Sequence, residues 1–238
     1  MKKYFIALVA LTSILSCTKK SDNVTDYNLI IKGNVDGLKQ GKLYFQKEID
    51  SALVTIDSVI VDGNSQFEKK FKLESPELMF LNIERRNSNN IDNSLVFFAE
   101  PGEINLKTTL EQFYYNAKIT GSKNHDLYEQ YRKIVSRFNN ENTKLIALRV
   151  LAVKDNNTTR IDSIDNASKK LTAQRYLNVA NFVKNHQDKE IAPLLIVDEI
   201  PNIAKPILDT ITQKITPEVL NSKYGQQLQK LLKLRENE

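Results

Sequence analysis

The sequence predicts an α+β fold, in which an antiparallel, sandwich-like β domain is followed by an all-helical region. The main evidence is a change of apolar period, from two between Asn28 and Ile119 to about 3.6 after Gly121. No repeat of fixed length is present. The predicted parts are a signal peptide at residues 1–16, a lipidated tether at 17–27, an antiparallel β domain at 28–121 and a helical region at 122–238.

The β half is predicted from short alternating segments separated by turn residues. Alternation is clearest in SQFEKKFKL (65–73), where Phe67 and Phe71 lie on one face and charged residues on the other. The preceding segment, ALVTIDSVIVDGN, is long and β-branched and ends in Asp62-Gly63-Asn64, so we expect these two strands to form a hairpin. The other predicted strands are 29–32, 43–47, 78–84, 95–99, 104–107 and 113–119.

The helical half begins with an apolar stripe at helical spacing. The stripe includes Leu127, Tyr131, Ile134, Val135 and Phe138, and it resumes beyond a polar break at 139–142 with Leu145, Leu148, Leu151 and Val153. A second helix is expected after KDNNTT, capped by Thr158 or Thr159. Shorter helices are predicted around 193–200, 203–215 and 224–234.

The N-terminus predicts an exported, lipid-anchored protein. Lys2 and Lys3 precede an apolar segment at 5–15 that is too short to span a bilayer, which is typical of a signal peptide. Ile14-Leu15-Ser16-Cys17 fits a lipobox, so we expect Cys17 to carry lipid. The expected location is the outer membrane of a Gram-negative bacterium, on its periplasmic side or at the cell surface. Because Cys17 is the single cysteine, the core is expected to hold without disulfides.

Several functional classes lack support in the sequence. The net charge of +5 is mild, and no Lys/Arg cluster is interleaved with aromatics, which excludes a nucleic-acid partner. His125 and His186 are the two histidines, and they lack the spacing of a metal site. Phosphate-binding glycine loops and a G-x-S-x-G elbow are absent as well. We therefore expect no cofactor, no metal and no enzymatic activity.

A dispersed active site remains open as an alternative. Asp57, Asp62 and Glu100 are carboxylates whose pairing across strands is invisible from the sequence. The other interpretation is that Asp57 is a polar residue on the solvent-exposed face of a long strand. Phe97-Phe98 and Tyr114-Tyr115 each place one ring on either side of a predicted strand, so one ring of each pair is either exposed to contact a sugar or peptide, or covered by the helices that follow.

The stretch from 33 to 83 resembles a bacterial lipoprotein domain, domain of unknown function 4369. The matching residues are Gly33, Gly37, Leu43, Asp57, Ser58, Val61, Asp62, Gly63, Phe67, Phe71 and Pro76. Two later stretches, FVKNHQDKEIAPLLI and NSKYGQQLQKLL, also resemble family segments, which extends the resemblance to about Leu234. In that family the module often precedes a thioredoxin-like domain with a C-x-x-C pair. The resemblance implies an accessory module here, without that domain and without its redox activity.

A weaker pattern, Asp-Ser/Thr-aliphatic, resembles an acceptor for periplasmic O-glycosylation. It predicts Ser51, Ser58, Ser163 and Thr210 as candidate acceptor residues.

The sequence as a whole predicts a non-enzymatic lipoprotein of the cell envelope that binds a protein, peptide or glycan. The alternative is an accessory factor that docks a separate thioredoxin-like thiol-disulfide protein. The oligomeric state is not predicted.

Overall fold

The computed structural model describes residues 26–84 and 92–236. The predicted signal peptide, Cys17 and the tether up to residue 25 lie outside the described residues. Within the described part, the chain forms eight strands followed by six helices, so the predicted α+β class is confirmed.

The strands form two four-stranded sheets. The first sheet has the order β4-β1-β7-β8, and the second sheet has the order β3-β2-β5-β6. The strands are β1 (Leu29–Asp36), β2 (Gln40–Ile49), β3 (Ala52–Asp62), β4 (Gln66–Phe71), β5 (Glu77–Glu84), β6 (Ser94–Ala99), β7 (Gly102–Thr109) and β8 (Lys118–Thr120).

The predicted hairpin between β3 and β4 is wrong. β3 pairs with β2 in the second sheet, whereas β4 pairs with β1 in the first sheet, so the turn at Gly63 carries the chain from one sheet to the other. The tight hairpin lies one step earlier, between β2 and β3. Its two turn residues, Asp50 and Ser51, have φ of 49° and 64°, the left-handed conformation that two-residue hairpin turns require.

Two further strand predictions need correction. The sandwich is not wholly antiparallel, because β1 and β7 pair in parallel, with Leu29 opposite Gly102. The predicted strand at 113–119 is mostly a turn, and only its end contributes to β8. The backbone groups of this turn are bonded locally, since the Thr108 hydroxyl donates to the Phe113 carbonyl at 2.6 Å and Asn116 N–H donates to the Gln112 carbonyl at 2.9 Å.

The sandwich core forms where the inward faces of the two sheets meet. Phe45 is fully buried there, and its ring contacts Phe67 and Phe71 with centroids 5.8 and 5.1 Å apart. Such tilted and edge-on contacts are favourable geometries for aromatic pairs. The alternation predicted for β4 therefore orients Phe67 and Phe71 toward the second sheet.

The helices follow the last strand almost at once. They are α1 (Lys123–Lys154), α2 (Thr158–Lys184), α3 (Ile191–Glu199), α4 (Lys205–Thr212), α5 (Pro217–Asn221) and α6 (Lys223–Leu234). The polar segment at 139–142 does not interrupt α1, which continues for 32 residues. The predicted caps of α2 are wrong, because Asn157 is the N-cap and its side chain accepts from Arg160 N–H at 2.9 Å.

The helices pack on the outer face of the second sheet. Phe97 belongs to the sandwich core, while its neighbour Phe98 belongs to the core of the helical region, and both are fully buried. The interpretation in which helices cover this face is therefore correct for the phenylalanine pair. Because successive residues of a strand point to opposite faces, β6 joins the two cores.

A compact junction connects the sandwich to α1. The Glu100 carboxylate accepts from Lys123 N–H at 2.6 Å and from Asn124 N–H at 3.2 Å, at the positive end of the α1 dipole. The buried Asn124 side chain also donates to Glu190 at 2.8 Å and accepts from Ile191 N–H at 3.1 Å. Asn124 thus ties β6, α1 and α3 together.

The far end of α1 departs from the sequence prediction. Leu151 and Val153, expected in the buried stripe, are 51% and 49% exposed. Within the described chain, no helix is both long and apolar enough to cross a membrane.

Candidate ligand cleft

A cleft of about 630 Å³ lies between the second sheet and helices α3 and α6. One wall is formed by the β2–β3 turn and the start of β5, and the other by Leu194, Asp198 and the first turns of α6. Interfaces between packed units are frequent positions for ligand sites. The cleft is therefore a candidate ligand site in the described part of the protein.

A buried carboxylate lies at the base of the cleft. The Glu77 side chain is 6% exposed and accepts from Lys47 Nζ at 3.2 Å and from Lys223 Nζ at 2.6 Å. Lys223 Nζ also donates to the Glu48 carbonyl at 2.9 Å. A buried carboxylate is tolerated only when it is paired and hydrogen-bonded, and here one lysine comes from each wall. Glu77 therefore holds the two walls together.

The start of α6 is fixed to the sheet by backbone contacts as well. Leu78 N–H donates to the Tyr224 hydroxyl at 2.9 Å, and Lys223 N–H donates to the Ser75 hydroxyl at 3.0 Å. The Tyr224 ring meets Phe98 edge-on at 5.9 Å, and burial raises the pKa of Tyr224. These contacts give the cleft a firm wall on the α6 side.

The cleft carries a net negative charge. Five carboxylates and three lysines line it within the described chain, namely Glu48, Asp50, Glu74, Glu77, Asp198, Lys47, Lys223 and Lys230. The Asp198 side chain reaches solvent, but the surrounding protein desolvates it and raises its pKa to about 6, with Glu48 and Glu199 adding to the shift. The charge of the cleft therefore becomes more negative as the pH rises through about 6.

Asp198 also borders a second cavity of about 410 Å³, which is rich in tyrosine. There the Arg132 guanidinium stacks on Tyr114, 4.7 Å from the ring centroid, and lies 5.8 Å from the centroid of Tyr128. Burial raises the pKa of Tyr128 to about 12. Arg132 therefore occupies one face of the Tyr114 ring and lies near the Tyr128 ring.

The interior edge of the second cavity contains a polar cluster. Arg175 and Glu199 form an ion pair between α2 and α3. The Tyr131 hydroxyl is buried beside this ion pair, and burial together with the nearby Glu199 raises the pKa of Tyr131. This cluster joins helices to one another and is not part of the exposed cleft.

The carboxylates that the sequence singled out have separate structural roles. Asp57 pairs with Lys69 Nζ at 2.9 Å, Asp62 accepts from the Gln40 side chain at 3.4 Å, and Glu100 caps α1. None of the three lines the cleft.

The histidines also lie apart from the cleft. His125 is buried and its Nδ1 accepts from Phe98 N–H at 3.4 Å, whereas His186 Nδ1 contacts the Phe182 carbonyl at the end of α2. Among the described residues, no group of three or more His, Cys, Asp or Glu side chains could hold a metal ion.

The candidate glycosylation residues are scattered over the surface. Ser51 is exposed at the β2–β3 turn beside the cleft, Ser163 is exposed on α2, and Ser58 is half-buried in β3. Thr210 is exposed on α4, where its hydroxyl donates to the Pro206 carbonyl at 2.7 Å. Cys17, the predicted lipid site, lies outside the described residues.

Sequence reasoning missed the residues that build the cleft. Glu77 and Lys223 are 146 positions apart, and Asp198 lies in the last turn of the apolar helix α3 without any motif. The stretch NSKYGQQLQKLL, which includes Lys223 and Tyr224, was singled out by resemblance, but its contact with β5 has no local signature.

Comparison with known proteins identifies the first half of the fold. Residues 29–128 match a family described as "Domain of unknown function (DUF4369)". The matched region comprises the eight strands and the start of α1, so one wall of the cleft belongs to it and the other wall lies beyond it.

The remaining comparisons add little. A crystal structure of transthyretin from Sparus aurata is similar at 18% identity and a TM-score of 0.30, covering 40% of this chain and 98% of that chain. No curated protein matches the chain.

Proposed function

We propose that this protein is a lipid-anchored, non-enzymatic binding module of the cell envelope, and that its cleft holds a positively charged segment of a partner protein. The observation that carries the proposal is the excess of carboxylates over lysines along the cleft, together with the engagement of two of those lysines by Glu77. A cleft lined by one sign of charge concentrates ligands of the opposite sign.

The arrangement favours an extended peptide. Carboxylates lie on both walls of the cleft, with Glu48 and Asp50 at the β2–β3 turn and Asp198 on the facing helix. Lysine and arginine side chains can reach carboxylates on both walls while their backbone stays solvated. A basic segment of a partner would therefore be held by several charge-assisted hydrogen bonds.

Peptide binding tests the cleft directly. A fluorescein-labelled lysine-rich peptide is titrated with the full-length protein, and anisotropy is compared with that of a glutamate-rich peptide of equal length. We expect the lysine-rich peptide alone to bind, and its affinity to increase as the pH rises through about 6, because Asp198 ionises there.

Two variants assign any binding to the cleft. Asp198→Asn should weaken binding and remove the pH dependence near 6, whereas the matched control Asp162→Asn changes an exposed carboxylate on α2 and should do neither. Equal binding by the wild type and Asp198→Asn at every pH would reject the cleft as the site.

Anchoring is tested separately through Cys17. In cells grown with an alkyne-labelled fatty acid, the wild-type protein should become labelled and should fractionate with outer membranes, whereas Cys17→Ser should be unlabelled. An unlabelled wild-type protein with a free thiol would reject the lipid anchor and leave the cleft proposal standing.

A further inference from the structure

In the described part of the chain, the two sheets end in four edge strands, and three of these are protected against pairing with another chain. β8 has three residues, and β4 carries three charged residues among its six. β6 is covered by α1, whose His125 Nδ1 accepts from Phe98 N–H at 3.4 Å. Short strands, charges and covering helices are the means by which proteins guard their sheet edges.

β3 lacks these protections over its second half. It has 11 residues, and among the described residues it pairs with β2 alone. A bulge distorts its first half, because the register with β2 shifts between Phe45 and Gln46, whereas residues 57–62 pair in unbroken register. Residues 52–62 contain no lysine, arginine or proline. The segment 57–62, which we call the β3 edge, is therefore open to pairing.

The alternation of hydrogen bonds identifies the backbone groups of the β3 edge that face outward. Gly63 N–H donates to the Lys39 carbonyl at 2.7 Å, and these residues lie directly opposite each other when the β2–β3 register is extended by one position. In an antiparallel pair, such hydrogen-bonded positions alternate with positions whose backbone groups face away. The N–H and C=O groups of Ile60 and Asp62 therefore point away from β2, toward the place of a further strand.

An apolar pocket of about 740 Å³ lies at the end of the β3 edge. Its aliphatic lining consists of Leu38, Ile60, Val61, Ile83 and Leu110. Where a peptide adds to a sheet edge, backbone hydrogen bonds supply affinity and a pocket for a side chain supplies specificity. The β3 edge and this pocket together provide both parts of such a site.

The charge of the strand favours a basic occupant. Asp50, Asp57 and Asp62 are the only charged residues between positions 50 and 62. Asp57 accepts from Lys69 Nζ at 2.9 Å and from Ser58 N–H at 2.6 Å, whereas Asp62 is exposed. A second copy of β3 would bring three further aspartates to the same edge. Opposite charges on neighbouring strands stabilise a sheet and like charges destabilise it, so a lysine-bearing strand fits better than a second copy.

We propose that the β3 edge binds an extended, lysine-containing segment of a partner protein, which adds to the second sheet as an antiparallel fifth strand. The segment exchanges backbone hydrogen bonds with Ile60 and Asp62. Its aliphatic side chains lie beside Val59 and Val61 on the core side, its lysines lie on the outer side near Asp62, and one apolar side chain enters the pocket. Residues 57–62 do not line the acidic cleft, so this inference does not depend on the proposed function.

A pair of N-methylated peptides tests the backbone contacts. The probe is a fluorescein-labelled peptide of about six residues that alternates lysine and valine, with phenylalanine in place of the first valine. One version is methylated at its lysine nitrogens, which face β3 in the proposed register, and the other at the remaining nitrogens, which face solvent. In anisotropy titrations with the full-length protein, we expect the lysine-methylated version to bind about tenfold more weakly than the other two, because its methyl groups remove the donors to β3.

Ile60→Pro tests the same contacts from the side of the protein. Proline removes the outward N–H of residue 60 and leaves the hydrogen bonds to β2 in place, which is why proline is tolerated on edge strands. Binding of the unmodified probe should fall about tenfold in Ile60→Pro. It should be retained in the matched control Ile60→Thr, which keeps the N–H, and in Asp198→Asn, which changes the cleft. The peptide comparison uses the wild type and so does not depend on the folding of any variant.

Four results would overturn the proposal. They are an absence of binding by every probe, equal binding of the two methylated probes, equal binding by the wild type and Ile60→Pro, and binding that is lost in Asp198→Asn but kept in Ile60→Pro. The last result would place the probe in the cleft. Light scattering of the protein alone adds one check, since a dimer that is lost in Ile60→Pro would assign the β3 edge to a second copy and reject the partner segment.

Discussion

Protonation of His125 should destabilise the fold in acid. His125 is 4% exposed, and burial lowers its pKa from 6.5 to about 4, an effect that nearby Asp126 only partly opposes. Its Nδ1 accepts a hydrogen bond from Phe98 N–H, so the neutral form is the one that fits the folded structure.

The direction and size of the effect follow from the two pKa values. The unfolded chain binds a proton near pH 6.5 and the folded chain only near pH 4, so the contribution of neutral His125 is complete above 6.5 and declines as the pH falls toward 4. A difference of about 2.5 pKa units corresponds to about 3 kcal/mol of unfolding free energy.

Urea unfolding followed by circular dichroism at several pH values between 4 and 8 measures this contribution. We expect the wild type to lose about 3 kcal/mol more than His125→Gln over this range, since glutamine does not titrate. His186→Gln, at the part-exposed second histidine, is the control and should keep the wild-type pH slope. The reasoning fails if His125→Gln and the wild type lose equal stability in acid.

Three further substitutions test the contacts that join the two halves, each by equilibrium unfolding. Lys223→Met should lower the free energy of unfolding by about 2–3 kcal/mol, because it leaves buried Glu77 with Lys47 alone. The control Lys205→Met, at the more exposed pair with Asp209, should cost less than about 1 kcal/mol. Equal costs would contradict the role of Glu77. Asn124→Ala should cost about 2–3 kcal/mol, because it leaves the Glu190 carboxylate and Ile191 N–H without their Asn124 partner and removes one of the bonds to Glu100. Asn178→Ala, which removes one exposed bond to Gln174, should have little effect, and a neutral Asn124→Ala would refute this reasoning. Gly121→Ala should lower the yield of folded protein, or lower its unfolding free energy by about 3 kcal/mol or more, because φ is +99° and a Cβ would lie 2.0 Å from the Glu103 carbonyl oxygen. In the control Gly63→Ala, φ is +85° but the added Cβ meets nothing within 4 Å, so the cost should be about 1 kcal/mol. The reverse order would be inconsistent with the structure.

The sequence alone determined the order of the secondary structure. The change of apolar period near Gly121 reports side-chain burial over a few neighbouring residues, and it correctly separated the strands from the helices. The Asp50-Ser51 turn shows the limit of this approach. The sequence predicts a hairpin at Gly63, whereas in the structure the hairpin forms at Asp50-Ser51, where both residues have left-handed backbone.

Tertiary structure decided which of these elements meet. Pairing β1 in parallel with β7, and placing β3 and β4 in different sheets, depends on contacts between distant segments that leave no local pattern. The same is true of the cleft, where Glu77 meets Lys223 across 146 positions, and of α1, whose aliphatic segment looks like core in sequence but remains exposed in the fold. Periodicity records that a residue is apolar, whereas only the packed chain determines whether another element covers it.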